Sequence, residues 1–252
     1  MIRVILYLAT IAASAIAEAQ VTETRSVADF TEIHVSSGIQ VIYTQSQNKS
    51  VVVESDNQEK LDRIVTEAKG GTLKIYVIAE KENWKKKNTF KVINVYVSAP
   101  NVKSFKTDSG AQINLENEIT STSKIEIDLN SGSSVKGNIS AKNIDIDADS
   151  ASSFSGRIKA TTVNVDLDSA STVSVTGSAE SISIEASSSA KFSGKDFTVK
   201  SADIEANSTS SVTLTVTESI KASADSLAKI NYYGNPKNAN KKSSSLAEVN
   251  EK

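Results

Sequence analysis

Along the second half of the chain, short runs of strictly alternating apolar and polar residues recur: Ile125-Glu-Ile127-Asp-Leu129, Ile144-Asp-Ile146-Asp-Ala148, Val163-Asn-Val165-Asp-Leu167, Ile182-Ser-Ile184-Glu-Ala186 and Ala202-Asp-Ile204-Glu-Ala206. A period of two with β-branched residues on one side predicts strands whose apolar set faces a common interior. Each run leads into a Ser-rich turn. The turns read Asn130-Ser-Gly-Ser133, Asp149-Ser-Ala-Ser152, Asp168-Ser-Ala-Ser171 and Ser187-Ser-Ser-Ala190, and the residues that open these copies, Leu129, Ala148, Leu167 and Ala186, lie 19 apart. Weaker copies follow at Ala206 and Ala224, and an early one occupies Phe105 to Ile113.

A short fixed period is the signature of a solenoid. Nineteen residues at about 3.3 Å each give a coil about 60 Å in perimeter, enough for two or three short sides around a thin interior. Gly137, Gly156, Gly177 and Gly194 fall soon after the turns, where a corner is needed. The alternative, a sandwich of hairpins, calls for Asn-Gly or Asp-Gly turns, which the repeats lack. We expect an all-β, right-handed parallel β-helix, the handedness by extension from parallel crossovers.

The N-terminal part is less regular. Phe30 to Val35, Ile39 to Tyr43, Val51 to Val53 and Leu73 to Val77 alternate as strands, whereas Leu61, Ile64, Val65 and Ala68 follow Asp56 and Glu59 at helical spacing. That spacing predicts one short amphipathic helix over residues 57–69, capped at Asp56 and ended by Gly70-Gly71. This helix and Tyr232-Tyr233 are the expected covers for the two open ends of the coil. Glu80 to Asn88 reads as an exposed loop carrying Trp84, either a ligand-contacting aromatic beside cations or a hairpin tip packed on its own stem.

The ends of the chain set its expected context. Met1 to Ala19 has Arg3, an apolar run from Val4 to Ile16 and small residues at Ala15, Ala17 and Ala19, the layout of a secretory signal; the run is too short to span about 30 Å of hydrocarbon. Residues 20–236 then form one β-helix domain, with N-terminal strands and helix over 20–100 and repeated coils over 101–236. Residues 237–252 are polar and read as a disordered tail. We expect an exported protein, periplasmic, at the cell surface or extracellular, with no membrane span.

With 28 basic and 30 acidic residues, no net charge drives the chain onto nucleic acid. Cysteine is absent and His34 is the only histidine, which excludes disulfides, thiolate sites, histidine-based triads and multi-histidine metal centres.

Signal-like leader, Phe30-x-x-Ile33-x-Val35-Ser-Ser-Gly38-Ile39-Gln-Val41, Leu73-Lys-Ile75 and Ser/Gly-rich repeats, in that order, resemble a secreted bacterial family, the putative auto-transporter adhesins with a head GIN domain, common in Bacteroidetes and of unknown function. The resemblance runs from Arg25 to Asn235 and implies a right-handed parallel β-helix with no catalytic residues to carry over.

Candidate chemistry lies in outward columns: Asp128, Asp147, Asp166, Glu185 and Glu205; beside them Glu126, Asp145, Asn164, Ser183 and Asp203; and Asp149 with Asp168 at the turns. Like charges about 5 Å apart in water repel by about 0.8 kcal/mol per pair. Such a face could bind Ca²⁺ or a cation-bridged glycan, or serve only as a solvated surface. The stacked turn serines admit a ligand role or hydrogen bonding to their own turns. The expectation for function is a non-enzymatic, adhesin-like interaction module with no obligatory cofactor, its partner a glycan or a cell-envelope protein. The alternatives are a polysaccharide lyase or hydrolase using carboxylates such as Asp147 and Asp166, and a self-associating envelope component.

Overall fold

The computed structural model describes residues 20–78, 93–244 and 246–252. The expected leader, Met1 to Ala19, and Trp84 lie outside these residues. Among the described residues nineteen strands form one continuous hydrogen-bonded sheet wound into a parallel β-solenoid. The chain enters with β1 (Val21–Thr24), β2 (Glu32–Val35), β3 (Gln40–Gln45) and β4 (Ser50–Ser55), followed by α1 (Gln58–Leu61), β5 (Ile64–Lys69), β6 (Thr72–Val77) and β7 (Ile93–Ala99). Regular winding starts at β8 (Ser104–Thr107) and β9 (Gln112–Leu115) and continues through β10 (Ile119–Leu129), β11 (Ser134–Lys136), β12 (Ile139–Ala148), β13 (Ser153–Leu167), β14 (Thr172–Ala186), β15 (Lys191–Ala206) and β16 (Ser211–Ala224). The winding closes with β17 (Lys229–Tyr233), β18 (Asn238–Ser243) and β19 (Glu248–Glu251).

The alternating residues take the predicted sides. Ile144, Ile146 and Ala148 stack on Val163, Val165 and Leu167, then on Ile182, Ile184 and Ala186, and all nine are buried. One repeat therefore adds one layer of core, and in-register pairing is enforced because a one-residue slip would turn that whole layer outward. Phe154, Phe192 and Phe197 fill the middle of the interior, and Tyr43 packs edge-on against Phe105 with ring centroids 5.2 Å apart near the N-terminal end.

Each corner is tighter than the sequence suggests. Ser133 N–H donates to the Asn130 carbonyl at 3.2 Å, and the two central residues both have positive φ, Ser131 at 53° and Gly132 at 69°. The same geometry recurs at Ser150-Ala151, Ser169-Ala170, Ser188-Ser189, Ser208-Thr209 and Ser226-Leu227. Two successive positive φ values mark the primed turns of tight hairpins. Here the bend turns the chain within a coil, and successive corners are tied together: Ala151 N–H donates to the Ser169 carbonyl at 2.9 Å, and Ala170 N–H to the Ser188 carbonyl at 3.0 Å.

Three expectations are corrected. The helix over 57–69 shrinks to α1, capped by Asn57, whose Oδ1 accepts from Lys60 N–H at 2.9 Å, while Asp56 pairs with the Lys60 ammonium. Ile64-Val65-Thr66 is a β-branched run, and Gly70-Gly71, with φ of 61° and 84°, makes a two-residue hairpin turn that pairs β5 antiparallel to β6. Second, the polar tail is a further coil: β18 pairs in parallel with β16 and β19 with β17, so residues 238–251 cover Tyr232, which is fully buried and donates its hydroxyl to Glu251 at 3.0 Å. Its polarity follows from its place at the end, since every residue of β18 is exposed and lysines on an edge strand discourage further pairing.

Third, the N-terminal end is covered by strands in place of a helix. β4 pairs antiparallel to β7, β1 antiparallel to β4, and β5 antiparallel to β6. The first coil in sequence is not the first in space, because β2 and β3 sit between β6 and β7 on one side and β8 and β9 on the other.

Candidate functional site

Parallel in-register stacking brings the predicted carboxylates into one row: Asp128, Asp147, Asp166, Glu185 and Glu205 are consecutive partners across β10, β12, β13, β14 and β15. Glu126, Asp145, Asn164, Ser183 and Asp203 form the adjacent row. The first four members of each row line a shallow groove of about 450 Å³ that spans Lys106 at one end and Glu185 at the other.

Charge along the groove is unevenly compensated. Lys106, stacked one coil before Asp128, pairs with it at 3.4 Å; Lys124 pairs with Glu126 and reaches Asp145 at 3.1 Å; Lys221 holds Asp203 at 3.0 Å. Asn164 Nδ2 also donates to Asp145 at 2.8 Å. By contrast Asp147, Asp166, Glu185 and Glu205 have no ion pair among the described residues. Although the Asp147 side chain reaches solvent, the groove removes part of its hydration, and that loss, with the charges of Asp128, Asp166 and Asp149, holds its carboxyl above the ordinary value of 3.8.

The row continues beyond the acids into basic residues, with His34 and Lys74 following Lys106 on one side and Lys242 following Ser223 on the other. A search for cations within each repeated strand misses Lys106 and Lys221. Extending the same register one coil in each direction finds both.

Asp149 and Asp168 do not share this groove. Asp149 Oδ1 accepts from Ser150 N–H at 2.5 Å, and Asp168 Oδ1 accepts from Ser169 N–H at 2.7 Å and from the Ser187 hydroxyl at 2.8 Å. Hydrogen bonds from Ser188, Ser187 and the Ser169 amide hold the Asp168 carboxyl below its ordinary value. These two residues cap corners. The inward turn serines are structural too: Ser133, Ser152 and Ser210 donate to the carbonyls of Thr107, Leu129 and Ala186 at 3.0, 3.0 and 2.9 Å, each bond tying one coil to the preceding one.

Among the described residues no three His, Asp or Glu side chains converge as a metal site. The row geometry explains this, because stacked carboxylates point outward in parallel, whereas Ca²⁺ needs six to eight oxygens directed at one point. No helix among the described residues is long and apolar enough to cross a membrane.

No curated protein sequence matches the chain. Its fold is shared with a crystal structure described as a putative lipid binding protein from Parabacteroides distasonis ATCC 8503, at 19% identity and a TM-score of 0.79 over 92% of this chain and 96% of that one. A putative adhesin from Parabacteroides merdae ATCC 43184 gives 15% identity and a TM-score of 0.84 over 92% and 96%, and a putative adhesin from Bacteroides fragilis NCTC 9343 gives 17% and 0.66 over 94% and 98%. At these identities the likeness is one of fold. Residues 29–236, nearly the whole solenoid, match the family described as putative auto-transporter adhesin, head GIN domain, and the chain belongs to that family.

Proposed function

We propose that this protein is an exported, non-enzymatic interaction module whose acidic groove receives the Lys- or Arg-rich surface of a cell-envelope protein. The observation that carries this reading is the run Asp147, Asp166, Glu185 and Glu205, four stacked carboxylates without an ion pair among the described residues, with Asp147 already pushed toward its neutral form. A partner's cations relieve that repulsion, whereas a neutral glycan does not. Export is supported by the leader pattern at Met1 to Ala19 and by the adhesin description of the family.

The test is titration of the full chain with a fluorescent octalysine probe in rising NaCl. Native protein should bind with salt-sensitive affinity, and the triple change Asp147→Asn, Asp166→Asn, Glu185→Gln should weaken it at least tenfold. Equal binding by the variant, or affinity indifferent to salt, refutes the reading.

A second reading has one observation in its favour. A carboxyl held above its ordinary value between two others, as Asp147 is, suits a general acid in glycoside cleavage. Release of reducing ends from a polysaccharide panel, abolished by both Asp147→Asn and Asp166→Asn, would replace the binding module with an enzyme.

A further inference from the structure

Across the Ser corner from the acidic groove, on the face built by β9, β11 and the first halves of β13, β14 and β15, the repeat breaks twice. Gln112 pairs with Ser134 and Ile119 with Ile139, so the chain takes a longer path from Gln112 to Ile119 than its neighbour takes between the same two rungs. The two extra residues fall within Leu115 to Glu118, an excursion around Glu116 that the next coil lacks. Farther along, Ser174 pairs with Ser193 but Gly177 with Phe197, and the extra residue that β15 carries between these rungs falls in Gly194 to Asp196 and forms a bulge. Between the excursion and the bulge runs an open groove of about 940 Å³, twice the size of the acidic one.

Its floor is backbone. A Cβ on Gly156 would lie 1.7 Å from the Gly137 carbonyl oxygen, and one on Gly137 would lie 2.4 Å from Leu115 Cβ, so neither position accepts a side chain. Asn114, Ser155, Ser174 and Ser193 present amide and hydroxyl groups in one row along the groove, and Asn138 Oδ1 accepts from Arg157 N–H at 3.1 Å. Two exposed cations, Lys136 and Arg157, stand on the second and third of its five coils, and Lys195 stands on the bulge at the fifth, over the Tyr233 ring at 5.0 Å. None of the three is ion-paired among the described residues, unlike the lysines of the acidic groove. Glu116 and Asp196 lie at the two ends.

We propose that this groove binds an acidic oligosaccharide of about four sugar residues, lying along the solenoid axis with two successive carboxylates against Lys136 and Arg157. Coils stack at about 4.8 Å, so the four steps from Asn114 to Ser193 span about 19 Å. An extended pyranose chain advances by nearly one coil step per ring, which places its hydroxyls against successive Asn and Ser side chains. Three cations, Lys136, Arg157 and Lys195, outnumber the two acids Glu116 and Asp196 and favour a chain that carries a carboxylate on each ring. The bare floor lets the rings approach the backbone closely. The inference stands apart from the acidic groove, which lies on another side of the coil.

The experiment is calorimetric titration of the full chain with tetragalacturonate and tetramannuronate, each as free acid and as methyl ester. At least one free acid should bind ten or more times as tightly as its ester and weaken with salt. Changing Lys136→Gln and Arg157→Gln together should lower that affinity at least tenfold with an unchanged melting temperature. Lys159→Gln with Lys200→Gln on the next side of the coil, and Asp147→Asn with Asp166→Asn, should leave it as it was. Failure of both acids to bind, ester binding equal to acid, or native affinity in the Lys136/Arg157 variant would each overturn the proposal.

Discussion

Replacing Thr209 with glycine should make the protein more stable. Thr209 is exposed, has φ of 69°, and is β-branched, the side-chain type least suited to that conformation. Left-handed backbone costs an L-residue about 1–2 kcal/mol, while glycine gives back about 0.4–1 kcal/mol through greater freedom in the unfolded chain. The net gain is about 1 kcal/mol, or about 2–4 °C in melting temperature for a chain of this size. The turn's own hydrogen bond, Ser210 N–H to the Asn207 carbonyl at 3.1 Å, and the tie from Thr209 N–H to the Ser226 carbonyl of the next corner at 3.2 Å are backbone bonds that the change leaves in place. The protein already contains the control. Gly38, Gly110 and Gly132 hold the equivalent position in earlier corners with φ of 68°, 73° and 69°, and a Cβ on Gly132 would touch nothing within 4 Å. Gly132→Ala therefore isolates the conformational cost and should lower stability by about 1 kcal/mol. Ala151→Gly lies three coils from Thr209 and should add independently to it. Thermal and urea melts with unchanged m-values are the assay. If Thr209→Gly melts at or below the native temperature while Gly132→Ala melts with it, these corners store no strain and the reasoning fails.

Two other outcomes follow from the same geometry. Asp147→Asn should stabilise the protein at neutral pH by about 0.5–1 kcal/mol, the screened repulsion of two neighbours about 5 Å away; a carboxyl raised in the folded state loses stability as pH climbs past 3.8, so the variant's advantage should vanish in acid melts and shrink in high salt. Ser152→Ala should cost about 1 kcal/mol by deleting the bond to the Leu129 carbonyl, whereas Ser171→Ala should be neutral or stabilising, because the buried Ser171 hydroxyl has no partner among the described residues; equal effects in chemical denaturation would contradict this.

The strands from β10 to β16 and the acidic row were legible because a repeat states its own register five times over. Each alternating run fixes which side faces inward, and the 19-residue spacing from Leu129 to Ala186 fixes which residues stack. The corners were half legible. Their serines stood out, but Ser-Ala, Ser-Thr and Ser-Leu carry none of the usual signal for positive φ, and only Gly38, Gly110 and Gly132 at the same position hinted at it. The N-terminal coils were the least legible. Leu61, Ile64, Val65 and Ala68 fit both helix and strand, and nothing local reveals that β2 and β3 lie between coils formed later in the chain. The order of β18 and β19 was hidden for a related reason, since a terminal strand takes its hydrogen bonds from a neighbour and needs little apolar content of its own.

Regularity and function pull in different directions here. A residue repeated in every coil meets the same neighbours above and below, so its energetic role is to hold register, as the inward serines and the capping Asp149 and Asp168 do. Recognition of a particular partner requires a place where that symmetry ends. The acidic groove acquires such ends from Lys106 and Lys221, which terminate its rows. The opposite face acquires them from the Glu116 excursion and the Gly194 to Asp196 bulge. The bulge is not passed on: Gly194 pairs with Leu214 and Thr198 with Thr215, so β16 runs directly from one rung to the next where β15 loops out. An accidental insertion would be absorbed wherever the chain is loosest. This one is held between two ordered parallel strands, β14 and β16, each of which pairs with β15 on both sides of it.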